Sequence, residues 1–306
     1  MEQELDDFFQ RHPQYKNAYD RFSQEGRLGR LLQCSAATVY EMHGEELGPI
    51  ADEILKFVAV HYPPDFMETY FARVNALREL QKRFDKNPSS KTLGDPSAHV
   101  ERSAYDLALL LSIVFTNHRF EIMQQLRAFL GNLAGATGAI AAVGAGTGYE
   151  IKLIHDELPN WIIEGYDTDQ EARNTATTLL RHFGVTRRIL LSEEFPLKAP
   201  PPKFRNHYDA IVLCELLEHL AHPREALETV RECLQPGGRA FVTMAINIAQ
   251  EDHVFLYPDI VSCRRQVKSA GLMIVSEWLT PHTIYQLPSD REPGFSKGNY
   301  LAILSR

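Results

Sequence analysis

Three glycines at alternate positions, Gly144, Gly146 and Gly148, stand in the run Val143-Gly144-Ala145-Gly146-Thr147-Gly148, directly after a short apolar stretch. Glycine at a strand-to-helix turn lets backbone approach a ligand with no side chain in the way. Asp167, in Glu164-Gly165-Tyr166-Asp167, follows the last glycine by about 20 residues. At that spacing a carboxylate can accept hydrogen bonds from both hydroxyls of a ribose. A helix cap is the plainer role for such an aspartate, but Asp169 suits the helix expected from about Gln170 better. Loop and carboxylate together predict a nucleotide-like ligand. The spacing is not that of a dinucleotide fingerprint, whose third glycine would fall at position 149. Tyr149 stands there, a bulky residue where helix and strand must pack closely. A ligand without a pyrophosphate fits the loop better.

Two further motifs follow in order. The first is Tyr208-Asp209-Ala210-Ile211-Val212-Leu213-Cys214-Glu215-Leu216-Leu217-Glu218-His219-Leu220, and the second is Leu234-Gln235-Pro236-Gly237-Gly238-Arg239. With the glycine loop and Asp167, these residues make the region from about 133 to 306 resemble class I S-adenosylmethionine (SAM)-dependent methyltransferases of the ubiquinone-biosynthesis-like type. The resemblance implies an enzyme with SAM as cofactor. It implies that Gly144, Ala145, Gly146 and Gly148 form the loop at the methionine moiety, and that Asp167 takes the ribose. Thr168 and Ser192 or Glu193 would flank the adenine, while Cys214 and Glu215 would reach the cofactor from the end of the fourth strand. Two departures stand out. An acidic residue usual two positions before the first glycine is replaced by Ala142, and the aspartate-containing turn usual after the third strand is irregular.

SAM carries an activated sulfonium, so the protein must align a nucleophile in line with the methyl carbon and accept a proton where the nucleophile holds one. His253, in Gln250-Glu251-Asp252-His253-Val254-Phe255, falls in the loop after the fifth strand and is a candidate base or substrate ligand. The alternative is an ordinary solvated loop residue. Asn117, His118 and Arg119 open the helix preceding the first strand, which by the resemblance folds over the cofactor. Arg119 could hold a carboxylate, SAM's own or a substrate's, whereas Asn117 could simply be an N-cap. Tyr105, Phe115, Tyr257 and Tyr285 are candidates for an aromatic wall near the sulfonium, or else core. Glu218 and His219 read as structural turn residues. Four scattered cysteines (Cys34, Cys214, Cys233, Cys263) and the isolated His12, His43, His61 and His99 show no ligand spacing, so no metal is expected.

These residues need a frame. After Gly131 the chain alternates strands, at 140–143, 161–166, 188–191, 210–213, 239–244, 273–279 and 300–304, with helices at 150–156, 170–183, 223–234 and 258–270. This pattern predicts an α/β, Rossmann-like, mainly parallel seven-stranded sheet with helices on both faces. No helix separates the last two strands, so an antiparallel final strand is expected, after a long loop at 281–297. The earlier residues read as helices and loops, with helices at 46–61, 65–80, 97–115 and 117–130 and a loop at 86–95. The division is thus 1–132, an all-helical lid and specificity domain, and 133–306, the SAM-binding domain. The apolar helix faces of the first part also suggest a homodimer contact.

A formal charge of −8 argues against a nucleic-acid partner. The acidic start and the lack of an apolar run of about 20 residues argue against a membrane one, leaving a cytoplasmic protein. The expected function is methyl transfer to a small molecule in specialised metabolism. One alternative is intramolecular cyclisation of SAM to azetidine-2-carboxylate with release of methylthioadenosine, and another is a non-catalytic SAM-binding subunit. NAD-dependent oxidation is disfavoured by Tyr149 and by the turn at Pro236-Gly237-Gly238.

Overall fold

The computed structural model describes residues 2–22, 24, 26–86, 101–185, 189–193, 195–282 and 297–306. The first part is helical: α1 (Glu2–Arg11), α2 (Pro13–Phe22), α3 (Gly26–His61), α4 (Phe66–Lys86), α5 (Arg102–Phe115) and α6 (Asn117–Gly131). The helix expected from 46 is the second segment of the longer α3. His43 leaves helical geometry there (φ −139°, ψ 23°), and Pro49 follows within the helix. Proline cannot donate to the preceding turn, so two segments meet at a kink. Thr116, not Asn117, flanks α6 as its N-cap, and Asn117 is the first helical residue and buried. Thr116 breaks α5 from α6 in extended backbone (φ −128°, ψ 129°).

The second part carries β1 (Ala139–Val143), α7 (Tyr149–Glu157), β2 (Ile162–Tyr166), α8 (Gln170–His182), β3 (Leu190–Ser192), β4 (Tyr208–Leu213), α9 (Pro223–Cys233), β5 (Leu234–Ile246), α10 (Ile260–Ser269), β6 (Met273–Pro281) and β7 (Gly298–Ser305). The seven strands form one sheet in the order β3-β2-β1-β4-β5-β7-β6. Strands β1 to β5 pair in parallel, and β7 runs antiparallel between β5 and β6, as the missing helix required. β1 is buried along its whole length as Ala-Ile-Ala-Ala-Val, the unbroken apolar run expected of a strand covered on both faces. β5 begins earlier than expected, at Leu234, because the Pro236-Gly237-Gly238 turn is taken up as a register shift against β4.

Strand order reverses between β1 and β4, so the carboxyl ends of these two strands bound a crevice, the position where open α/β sheets bind ligands. One continuous apolar core runs from Phe8 and Phe22 through Phe57, Phe115 and Phe120 to Ile140, Val212 and Leu301. The helical part therefore packs into the sheet's own core on that face, and a second core fills the other face around Leu227, Cys263 and Tyr300. The apolar faces that suggested a dimer contact are covered in this way, and among the described residues the first part leaves only Met42 and Val60 as large exposed apolar side chains. Among the described residues no helix is long and apolar enough to cross a membrane.

Candidate functional site

The loop after β1 is built by its backbone. The amides of Gly144 and Ala145 both donate to the carbonyl of Tyr166 (2.8 Å each), which ties the ends of β1 and β2 together. Gly144 adopts φ +75°, and a Cβ there would meet Leu216 Cδ1 at 3.2 Å. Gly148 adopts φ +84°, and a Cβ would strike Ala176 Cα at 2.8 Å. No residue but glycine satisfies the second position, because the conformation and the space both forbid a side chain. Asp167 is set at the end of β2 by two amides, accepting from Gly146 (2.8 Å) and Asp169 (2.9 Å). Asp169 caps α8 by accepting from the amide of Glu171 (2.8 Å), as its place before the helix suggested.

A cavity of about 570 Å³ opens at the reversal point, within the range of roughly 300–1,000 Å³ common to small-molecule sites. One wall carries Gly144, Gly146 and Asp167, with Cys214 and Glu215 at the end of β4. Glu215 sits at φ +51°; its amide donates to Thr243 Oγ1, and its carboxylate accepts from Thr243 (2.7 Å) and Asn299 (2.6 Å). The opposite wall is α5, whose Arg102, Tyr105 and Leu109 lie at i, i+3 and i+7 on one helix face. Arg102 pairs with Asp106 (2.7 Å) and with Asp169 (3.1 Å), fastening this wall to the cap of α8.

Arg119 is buried and lines the cavity, 3.5 Å from the Glu150 carboxylate, and its Nε has no partner. A guanidinium and a carboxylate thus face the same space. Their charges match the carboxylate and ammonium of an amino acid, and Glu150 offers the acidic group that Ala142 withholds.

The far end of the cavity is formed by His219 and Asp252. His219 Nδ1 lies 3.3 Å from an Asp252 carboxylate oxygen and 3.2 Å from the Asp252 carbonyl. Burial alone would lower the pKa of His219, but the hydrogen bond and charge of Asp252 outweigh it and raise it to about 9. Asp252 is correspondingly held well below the carboxylate range: burial opposes this, and its hydrogen bond to His219 prevails. Behind them, burial and the neighbouring Glu215 charge push Glu218 up to about 8, while burial and the His219 charge push His253 down to about 3. Burial raises the Cys214 thiol well above its usual value.

Of the residues named from the sequence, the structure brings Arg119, Gly144, Gly146, Asp167, Cys214 and Glu215 to the cavity wall. Ala145 and Gly148 complete the loop without lining the space. Thr168, Ser192 and Glu193 are not among the lining residues. His253 is buried one layer back, its Nδ1 3.0 Å from the carbonyl of Ile248. His118 is also buried, its ring centroid 3.3 Å from that of His282, and burial lowers its pKa well below the usual value. Asn117 is buried with Oδ1 unpartnered. Tyr105 is the one proposed aromatic at the cavity; Phe115 and Tyr257 are core, and Tyr285 and His99 lie outside the described residues. Sequence reading missed Arg102, Leu109, Glu150 and Asp252. Glu150 carried a signal, since it opens the helix after the loop, but nothing local marks the others.

Residues 141–240 match the family model described as a methyltransferase domain. The second part of the chain is a class I methyltransferase domain, and the protein is a SAM-dependent transferase with SAM as its cofactor. No curated protein matches the sequence. Among solved structures, the chain is similar to an O-methyltransferase family protein from Burkholderia thailandensis at 15% identity, covering 78% of this chain and 71% of that one, with a TM-score of 0.54. It is also similar to the N-methyltransferase NodS from Bradyrhizobium japonicum in complex with S-adenosyl-L-homocysteine (16% identity, 63% and 89% covered, TM-score 0.45). A third similar structure is the cyclase SpnF (16% identity, 75% and 93% covered, TM-score 0.48). At these identities the likeness concerns the fold.

The residues present fit SAM. The loop at Gly144 is a cradle that a side chain would crowd, Arg119 lines the space with a buried nitrogen that has no partner, and Asp167 also lines it, held by the Gly146 amide.

Proposed function

We propose that the protein transfers the methyl group of SAM to a small-molecule acceptor bound between α5 and the His219–Asp252 pair. The observation that carries this reading is the division of one cavity into two unlike walls. Asp167 suits the ribose of SAM, and Gly144 and Gly146, with Arg119 and Glu150, suit its methionine end. That leaves Tyr105, Leu109, His219 and Asp252 for an acceptor. SAM supplies an activated methyl group, and the protein's task is alignment and, for a protonated acceptor, removal of a proton. Tyr105 and Leu109 orient the acceptor, and the His219–Asp252 pair meets its polar group. Asn117, His118 and His253, candidates from the sequence, act in this reading as positioning residues behind Arg119 and His219.

A small acceptor, rather than a nucleic acid, is supported by the acidic lining of Asp167, Asp169, Glu171, Glu150, Glu215 and Asp252. Residues 1–132 serve as the lid and specificity element, since α5 supplies the acceptor wall. The need for SAM, an intracellular metabolite, supports action in the cytoplasm.

The test is incubation with SAM, with and without a metabolite extract, followed by identification of the adenosyl product. S-adenosylhomocysteine formed only with the extract is the expected result. Methylthioadenosine would replace methyl transfer by cyclisation or aminobutyryl transfer, and tight SAM binding with neither product would favour a binding subunit.

A further inference from the structure

Behind the cavity lies a cluster that the methyl-transfer reading does not use chemically. Glu218 is 1% exposed and His253 is 2% exposed. Glu218 and His219 sit on a short 3-10 turn after β4, and His253 comes from the loop after β5. The backbone joins the two segments, because the amides of Val254 and Phe255 both donate to the Glu218 carbonyl (2.9 Å each). One ligand-capable atom from each of Glu218, His219 and His253 lies within 4.8 Å of the others. The two imidazole rings stand nearly perpendicular, at 87°, with centroids 4.8 Å apart.

The hydrogen-bond pattern shows what this cluster lacks. His253 Nδ1 faces the Ile248 carbonyl at 3.0 Å, and His219 Nδ1 faces oxygens of Asp252 at 3.2 and 3.3 Å. Those oxygens only accept, so each Nδ1 carries a proton, and Nε2 is the nitrogen left to bind a metal in place of a proton. A backbone carbonyl or carboxylate on the far nitrogen is the usual support of a metal-bound histidine. Among the described residues, none donates a hydrogen bond to either carboxylate oxygen of Glu218. Three groups able to ligate a metal therefore lie together in a buried place, and the Glu218 carboxylate among them has no hydrogen-bond partner among the described residues. A buried carboxylate left in that condition is costly, and a cation removes the cost.

We propose that Glu218, His219 and His253 form a binding site for one divalent transition-metal ion. Two imidazoles and one carboxylate favour zinc, manganese, iron(II) or cobalt(II) over magnesium and calcium, which prefer oxygen-only shells. Three protein ligands leave further coordination positions, as in catalytic rather than structural metal sites. His219 also lines the cavity, so the ion would stand at its acceptor end. The expectation of no metal came from the isolated histidines of the first part and from cysteine spacing. These ligands all lie in the second part, and two of them had been read as turn residues. The proposal does not depend on which carbon of SAM reacts.

The test uses full-length protein stripped of metal with a chelator and then titrated with cobalt(II) chloride. One cobalt per chain is expected, with visible d–d absorption that zinc chloride removes by competition, and a melting temperature raised by several degrees. Glu218→Gln and His253→Gln should each weaken cobalt binding at least tenfold, whereas His207→Gln, at an exposed site, should not change it. SAM affinity reports folding in every variant. Should a ligand variant not fold, the electron spin-echo modulation of manganese(II) bound to the wild-type protein decides: coupling to imidazole nitrogen supports the site, and its absence overturns it. Wild-type protein that binds SAM but takes up neither cobalt, zinc nor manganese at about 100 µM also overturns it, leaving a proton held within the cluster. So does a Glu218→Gln variant that binds cobalt as tightly as the wild type.

Discussion

The two walls of the cavity are made differently. At the ends of β1 and β2 the wall is mostly backbone: a loop with Gly144, Gly146 and Gly148 at positive φ, the amides of Gly144 and Ala145 bonded to Tyr166, and one carboxylate, Asp167, held by the amides of Gly146 and Asp169. Across the space the wall consists of side chains from distant segments, with Tyr105 and Leu109 from α5, His219 from the turn after β4, and Asp252 from the loop after β5. That loop is itself held from the helical part. Arg73 of α4 makes a bidentate pair with Glu251 (2.9 and 3.0 Å), and Gln81 donates to the Asn247 carbonyl and accepts from the Ala249 amide. A backbone wall tolerates little change and suits an invariant ligand, SAM. A side-chain wall can be varied residue by residue and suits the acceptor.

Five substitutions would break or sharpen this contrast. Gly148→Val should have the largest effect, because it combines left-handed strain of about 1–3 kcal/mol with a clash against Ala176 Cα. Denaturant unfolding should show the loss in stability, and calorimetry should show SAM binding abolished. Next come the two charged groups at the cofactor. Asp167→Ala and Arg119→Met should each weaken SAM binding by about 10-fold or more, since a hydrogen bond to a charged group contributes about 1.5–3 kcal/mol. Titration with SAM would measure this, and unchanged affinity in either variant would move that contact elsewhere.

Arg73→Ala should act on the other wall alone. It frees the loop holding Asp252, so the KM for the acceptor should rise severalfold while SAM affinity stays within about twofold. Equal losses in both constants would show that the walls are not separable.

The last prediction concerns acid stability. His118 and His282 are held neutral, His118 by burial and the His282 charge, and His282 by burial and the Arg119 charge, with His282 at about 3. Their folded pKa values are depressed, so the unfolded chain binds more protons as pH falls below about 6.5, the ordinary histidine value. Stability should therefore fall as pH drops from about 6.5 toward 3, by up to about 1.4 kcal/mol per pH unit for each such histidine. Thermal unfolding of wild type and His118→Phe between pH 7 and pH 5 would check it; the variant should show the shallower slope.

The contrast also explains what could be read early. The helix at 46–61 proved to be the tail of a 36-residue α3 because a kink at His43, not a loop, joins its segments. The helical part was legible as helices, with Tyr105 and Arg119 as site candidates, but Arg102 and Leu109 were not, since their helical spacing is unremarkable until the helices have packed.

The amino-acid order by itself determined the α/β sheet, its antiparallel last strand, the glycine loop and the cofactor carboxylate. Each of these depends on local periodicity or on backbone conformations open only to certain residues. Tertiary structure alone decided that Glu150 faces Arg119, that Asp252 meets His219, and that Glu218 and His253 come together with His219. Those pairings join residues far apart in the chain. Their chemistry comes from burial and distance, which exist only once the segments have packed.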